Sequence, residues 1–138
     1  MNVAMTVEPD PLTAFLQARI EEDAHVARAV VSACRDVRHE WPPEQAPGRG
    51  GPALTEFLRH FSESRMLREV EAKRAILAEH PLTRHVIPPG YRLVGEGFGC
   101  ELCHDWDGVT EGRGYCGTLL AAVAVYSGHP DYRQEWKP

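Results

Sequence analysis

Three cysteines and one histidine constrain this 138-residue chain more than any other feature. They are spaced H-x19-C-x2-C-x12-C, from His80 through Cys100 and Cys103 to Cys116. Two thiolates separated by two residues can both reach one tetrahedral ion, and zinc accepts sulfur and imidazole ligands together. His80 falls near the end of a helical stretch, just where the chain leaves toward the Cys-x2-Cys pair, and is the preferred fourth ligand. His104, beside Cys103, is the alternative, and His85 and His129 are further candidates. Four protein ligands leave no position for a substrate water, so the implied zinc is structural. Cys116 stands directly before an apolar helical run, where free N–H groups and the helix dipole favour a thiolate.

Other readings of the same residues fit less well. Cys100-Glu101-Leu102-Cys103-His104 matches the haem c attachment string, but that chemistry needs export. The N-terminal ten residues carry neither a basic region nor a long apolar core. A thioredoxin-type pair would open a helix at its first cysteine, whereas glycines precede this pair and Asp105-Trp106-Asp107-Gly108 follows it. A zinc deaminase would carry His-x-Glu ahead of Pro-Cys-x-x-Cys, and neither occurs. The reducing cytoplasm is the expected compartment, where clustered cysteines hold metal more often than they pair. Cys34, on a helical stripe, reads as a small buried hydrophobe.

Composition limits the partners. A net charge of −5 argues against a general duplex-DNA binder, which needs a positive face to displace counterions. No apolar run reaches membrane-span length, so no membrane partner is expected. Asp10-Pro11 supplies an N-cap and a proline at the first helical position. The helix that follows is expected to bury Leu12, Leu16, Val26, Val30, Cys34, Val37 and Trp41, with Phe15 and Ile20 on its flanks, and to end at Pro42-Pro43. Residues 42–52 read as a flexible linker. A short amphipathic piece spans Ala53 to Phe61, and Ser62 caps a second long helix to Glu79 with the stripe Met66, Val70 and Leu77. Asp23 and Lys73 each interrupt one apolar stripe with opposite charge, so they are expected to meet as an ion pair that fixes register. Removing one partner of a buried pair costs about 3–5 kcal/mol.

Between residues 81 and 115 helical periodicity disappears. Pro88-Pro89-Gly90 reads as a turn, and Tyr91-Arg92-Leu93-Val94 as the only strand. The last helix is expected from Thr118 to about Ser127, apolar nearly all round and therefore deeply buried. The fold class is mainly α: a long helical hairpin plus a short buried C-terminal helix, with a small irregular zinc knuckle and room for one short β-hairpin. One domain covers 1–138, with a disordered N-terminus over 1–9 and a zinc-binding loop region over 80–116.

Several strings resemble one family. MLREVEAKRAILAEH (Met66 to His80), the Cys-x-x-Cys, the cysteine opening a TLL-type helix and the ending YSGHPDYRQEWKP are similar to a family of small actinobacterial and actinophage proteins of unknown function. The similarity runs from Leu12 to the C-terminus, diverging over 42–52 and the glycine-rich loop. Family members carry proline after the third cysteine where this chain has Gly117. The resemblance implies fold and metal, and no activity.

With no catalytic dyad, phosphate loop or open metal position visible, the expected function is a non-enzymatic protein–protein interaction or regulatory module. Its partner and oligomeric state are left open. His129, Asp131, Tyr132 and Trp136 form a possible partner surface, although aromatics after a buried helix more often fold back to cover it. The alternative is a nucleic-acid-binding knuckle with Arg84, His85, Arg92 and Arg113 as its basic patch. An enzyme using Glu22, Asp23, His25 and Glu69 is the weakest reading, because carboxylates on amphipathic helices usually form a solvated face.

Overall fold

The computed structural model describes residues 8–37, 51–87, 96–105 and 114–138. Among them the order is α1 (Pro11–Val37), α2 (Gly51–His60), α3 (Glu63–Glu79), β1 (Leu82–Val86), β2 (Gly97–Cys100), α4 (Gly117–Ala124) and a closing 3-10 turn, Gln134–Trp136. The chain is mainly helical, with one short two-stranded sheet. Within the span expected to be a single domain, contacts divide it into two compact units. One is Met1–Arg19 with Arg74–Pro138, and the other is Ile20–Lys73. The expected strand at 91–94, the Pro88-Pro89-Gly90 turn, Trp41 and most of the expected N-terminal tail and linker lie outside the described residues. Gly51 and Pro52, assigned to the linker from sequence, instead form the first turn of α2.

Local chemistry starts the helices where the sequence places the signals. The Leu12 amide donates to Asp10 Oδ1 at 2.8 Å, an N-cap, and the Ala14 amide closes the first helical bond on the Asp10 carbonyl. The Arg65 amide donates to Ser62 Oγ at 3.3 Å, and Met66 bonds back to the Ser62 carbonyl, so α3 opens in the same way.

Helix faces differ from the expected stripes. Among the described side chains of α1 the buried ones are Leu12, Phe15, Leu16, Ile20, Ala24 and Ala27, whereas Val26 is 50% exposed and Val30 half-buried; the expected Cys34 and Val37 lie outside the described side chains. At 100° per residue this face is rotated by roughly 50° from the line through Leu12 and Val30. The alanines explain the error: they add little hydropathy to a pattern, yet a small side chain lets a neighbour approach closely. In α3 Val70 is the fully buried residue, Leu77 is half-buried and Met66 is exposed.

In the unit of residues 20–73, Thr55 is buried because its hydroxyl donates to the Gly51 carbonyl at 2.8 Å. Phe57 and Phe61 remain exposed although their rings stack 4.7 Å apart, and the Arg65 guanidinium lies 4.6 Å over Phe61. In the other unit, β1 and β2 run antiparallel, pairing Leu82 with Cys100, Thr83 with Gly99 and Val86 with Gly97, and the register shifts between Thr83 and Val86. The fold class left room for one short β-hairpin, and these strands form it, although neither was placed at these residues from sequence. Helix α4 buries Leu119, Leu120 and Val123, and Val125, its C-cap residue, is exposed. It ends earlier than expected because Tyr126 and Ser127 bond three residues back, to Val123 and Ala124.

The C-terminal tail folds onto the start of α1. Phe15 meets Tyr126, His129 and Tyr132 edge-on and lies 5.1 Å from Trp136, centroid to centroid. Trp136 is 1% exposed and is among the largest fully buried side chains.

Candidate metal centre

Three segments converge on one point, each for a local reason. His80 is the last residue tied to α3, its amide bonding to the Ile76 carbonyl at 3.1 Å. Two residues later the chain enters β1, and the Leu82–Cys100 pairing carries Cys100 back alongside His80. The Glu101 amide extends that ladder to the Pro81 carbonyl at 3.0 Å.

The knuckle then turns tightly. The His104 amide bonds to the Cys100 carbonyl at 2.8 Å, and the Cys100 amide to the Asp105 carbonyl at 3.0 Å. His104 has φ 59°, the left-handed conformation that lets the chain reverse after Cys103. Histidine tolerates this region better than most side chains do. Its role here is in the backbone, and it does not join the sulfur cluster. Cys116 arrives as the N-cap residue of α4, with extended backbone and its carbonyl accepting from the Leu120 amide.

Gly114 makes that arrival possible, and its importance was not legible in sequence. Its φ is +75°, and a Cβ at this position would stand 2.7 Å from the Phe98 carbonyl oxygen. Only a residue without a side chain passes so close to β2. Phe98 then packs edge-on against Tyr115 at 5.4 Å, next to Cys116.

The result places His80, Cys100, Cys103 and Cys116 with their ligand atoms all within 4.8 Å of one another. His80 Nδ1 lies 3.6, 3.3 and 3.7 Å from the sulfurs of Cys100, Cys103 and Cys116 respectively. An imidazole nitrogen has either one proton or one lone pair, directed in the ring plane, so it can serve one sulfur by hydrogen bonding but not three. A tetrahedral ion with metal–sulfur bonds of about 2.3 Å and metal–nitrogen bonds of about 2.0 Å sets a sulfur–nitrogen edge of about 3.6 Å. The donor set and its spacing fit a closed tetrahedral metal site.

Without a cation Cys103 and Cys116 are poor thiolates. Burial pushes the Cys116 thiol up to about 12, and the neighbouring cysteines add to this while the Leu119 amide opposes it. The helix start does not overcome burial. Burial, together with Cys100, raises the Cys103 thiol as well. A bound cation would supply the missing countercharge and release the protons.

The remaining expected residues lie elsewhere. His85 is exposed, with Nδ1 2.5 Å from Glu96 Oε2, and His129 lies against Arg19 and Phe15. Lys73 Nζ donates to Asp23 Oδ2 at 3.0 Å, with the two side chains 21% and 31% exposed. That partial exposure corrects the cost expected for a buried pair, because water screens both charges. The possible partner surface also shrinks: Tyr132 and Trp136 are buried, His129 is half-buried, and Asp131 alone is exposed. Of the basic patch, Arg84 and His85 are exposed on β1, while Arg92 and Arg113 lie outside the described residues. Glu22 and His25 are exposed, and Glu69 accepts from Arg65 at 2.8 Å, as on an ordinary solvated helix face. Among the described residues no helix is long and apolar enough to cross a membrane.

A family model described as a family of unknown function, DUF6221, matches residues 9–138, and the chain belongs to that family. No curated protein and no solved structure matches it.

Proposed function

We propose that the protein is a zinc-stabilised interaction module without enzymatic activity, its metal held by His80, Cys100, Cys103 and Cys116. The observation that carries the metal reading is the one ring nitrogen, His80 Nδ1, standing at nearly equal distance from three sulfurs. Three sulfurs and an imidazole suit zinc, and a full set of four protein ligands suits a structural role. The interaction reading draws on Leu54 and Phe57 of α2 and Phe61 just after it, which are exposed although their chemistry favours burial.

Elemental analysis of the purified protein is expected to give one zinc per chain, and a chelator is expected to lower the melting temperature. Cobalt substitution is expected to give the intense visible bands of a tetrahedral thiolate site. Substoichiometric metal, or six-coordinate cobalt spectra, would sink the metal reading. For the interaction reading, a Phe57→Ser/Phe61→Ser variant is compared with wild type in capture from native lysate. A partner held by both alike would exclude this face as the contact.

A further inference from the structure

The four donors of the metal centre are not equally protected. Cys100 and Cys116 are both 0% exposed, whereas Cys103 is exposed at the tip of the knuckle. A peroxide must approach a sulfur directly to react, so access separates the three thiolates before intrinsic reactivity does. Cys100 is also placed as the second partner. Residues 101–103 form a turn closed by the His104-to-Cys100 bond of 2.8 Å. An α-turn of this kind has helix-like geometry that sets the Cα atoms of residues i and i+3 about 5 Å apart, inside the disulfide range of about 4.4–6.8 Å. Cys116 is anchored differently, as the N-cap residue whose carbonyl takes the Leu120 amide, so pairing it would disturb the start of α4.

We infer that Cys103 is an oxidant-accessible modification site of the metal centre, at which a hydroperoxide converts the Cys100–Cys103 pair to a disulfide and expels the metal. The inference rests on the metal reading above. In the first step the Cys103 thiolate attacks one peroxide oxygen, the O–O bond breaks, hydroxide leaves, and Cys103 becomes a sulfenic acid. The Cys100 thiolate then attacks that sulfur, the S–S bond forms, the S–O bond breaks, and a second hydroxide leaves. The two thiolates together lose two electrons, the peroxide gains both, and solvent protonates the hydroxides to water. His80 and Cys116 alone do not close a tetrahedral site, so the ion departs. A thiol reductant with added zinc reverses the change.

The test uses the full-length, zinc-loaded protein with its metal content measured first. Hydrogen peroxide is added in graded amounts, released zinc is read with a chromogenic chelator, and peptide mass mapping locates the products. One zinc is expected to be released per Cys100–Cys103 disulfide, and brief alkylation before oxidation is expected to label Cys103 at least about tenfold faster than Cys116. Zinc retained after oxidation, a disulfide to Cys116, or equal labelling would overturn the inference and leave the metal reading standing. Absence of zinc at the outset would overturn both. A Cys103→His variant keeps four nitrogen and sulfur donors and is expected to hold zinc under peroxide. If it does not bind metal, the wild-type peptide map decides alone.

Discussion

The two units of this chain are held by different means, although the same two long helices run into both. The described part of residues 20–73 is mainly helical, and its buried side chains are few, namely Ile20, Ala24, Ala27, Thr55 and Val70, with a part-buried Asp23–Lys73 pair in the same unit. In the described part of residues 1–19 with 74–138, the regular structure between α3 and α4 is the short β1–β2 pair, yet the unit buries Leu12, Leu16, Leu119, Val123 and Trp136 and brings together four residues that could hold a metal. Regular hydrogen bonding is therefore a poor guide to where this protein is most constrained. The unit with the short sheet has more of the large buried groups and the Cys/His cluster, and the unit of residues 20–73 leaves Phe57 and Phe61 exposed.

Metal removal is expected to break this comparison most strongly. A site saturated a thousandfold over its dissociation constant stabilises by about 4 kcal/mol. Chelation should therefore strip hydrogen-exchange protection from β1, β2 and the first turn of α4 while α2 keeps its own. Equal loss in both regions would show that the metal holds the whole chain rather than one unit. Trp136→Ala comes next, at about 3–5 kcal/mol for a buried aromatic, and Met66→Ala is the matched control on an exposed helical position. Denaturant midpoints would compare them, and similar shifts would contradict the burial contrast.

Alkaline pH sharpens the same contrast in the metal-free protein. Cys116 is held neutral in the folded state, with its thiol raised from 9.0 to about 12, so the unfolded chain loses that proton first. The stabilising contribution is present below pH 9 and is lost as pH rises toward 12. Metal-loaded protein is expected to show the opposite trend at the acid end, where protons compete with the ion for the thiolates. Melting curves of the two forms across pH would separate these behaviours.

The ion pair of the helical unit is expected to matter less. With both side chains partly exposed, Asp23→Ala should cost about 1 kcal/mol or less, and the double change with Lys73→Ala little more. A loss of several kcal/mol in a double-mutant cycle would restore the buried-pair expectation. The smallest effect expected is a gain. His104→Gly relieves a left-handed residue at φ 59° and should stabilise the metal-loaded knuckle by about 0.5–1 kcal/mol.

How much could be read beforehand follows from the range of each interaction. Asp10 and Ser62 act on amides two or three residues away, so the helix starts are local and legible. The sulfurs and imidazole announce their chemistry by residue type, and the place of His80 at the helix end already made it the preferred fourth ligand over His104. The hairpin's strands were not located because β1 and β2 are only five and four residues long and are defined by pairing with each other. The buried face of α1 was misplaced because Ala24 and Ala27 carry little signal in a hydropathy pattern.

Residue identity by itself determined the mainly helical class, the helix starts and the presence of a soft-metal donor set, because these depend on short-range preference and on intrinsic side-chain chemistry. Only the folded arrangement decided which cysteine faces water and which glycine lets the chain pass Phe98. Those outcomes depend on segments distant in the chain approaching within a few ångströms, and such approaches are set by register and close packing, which no local pattern encodes.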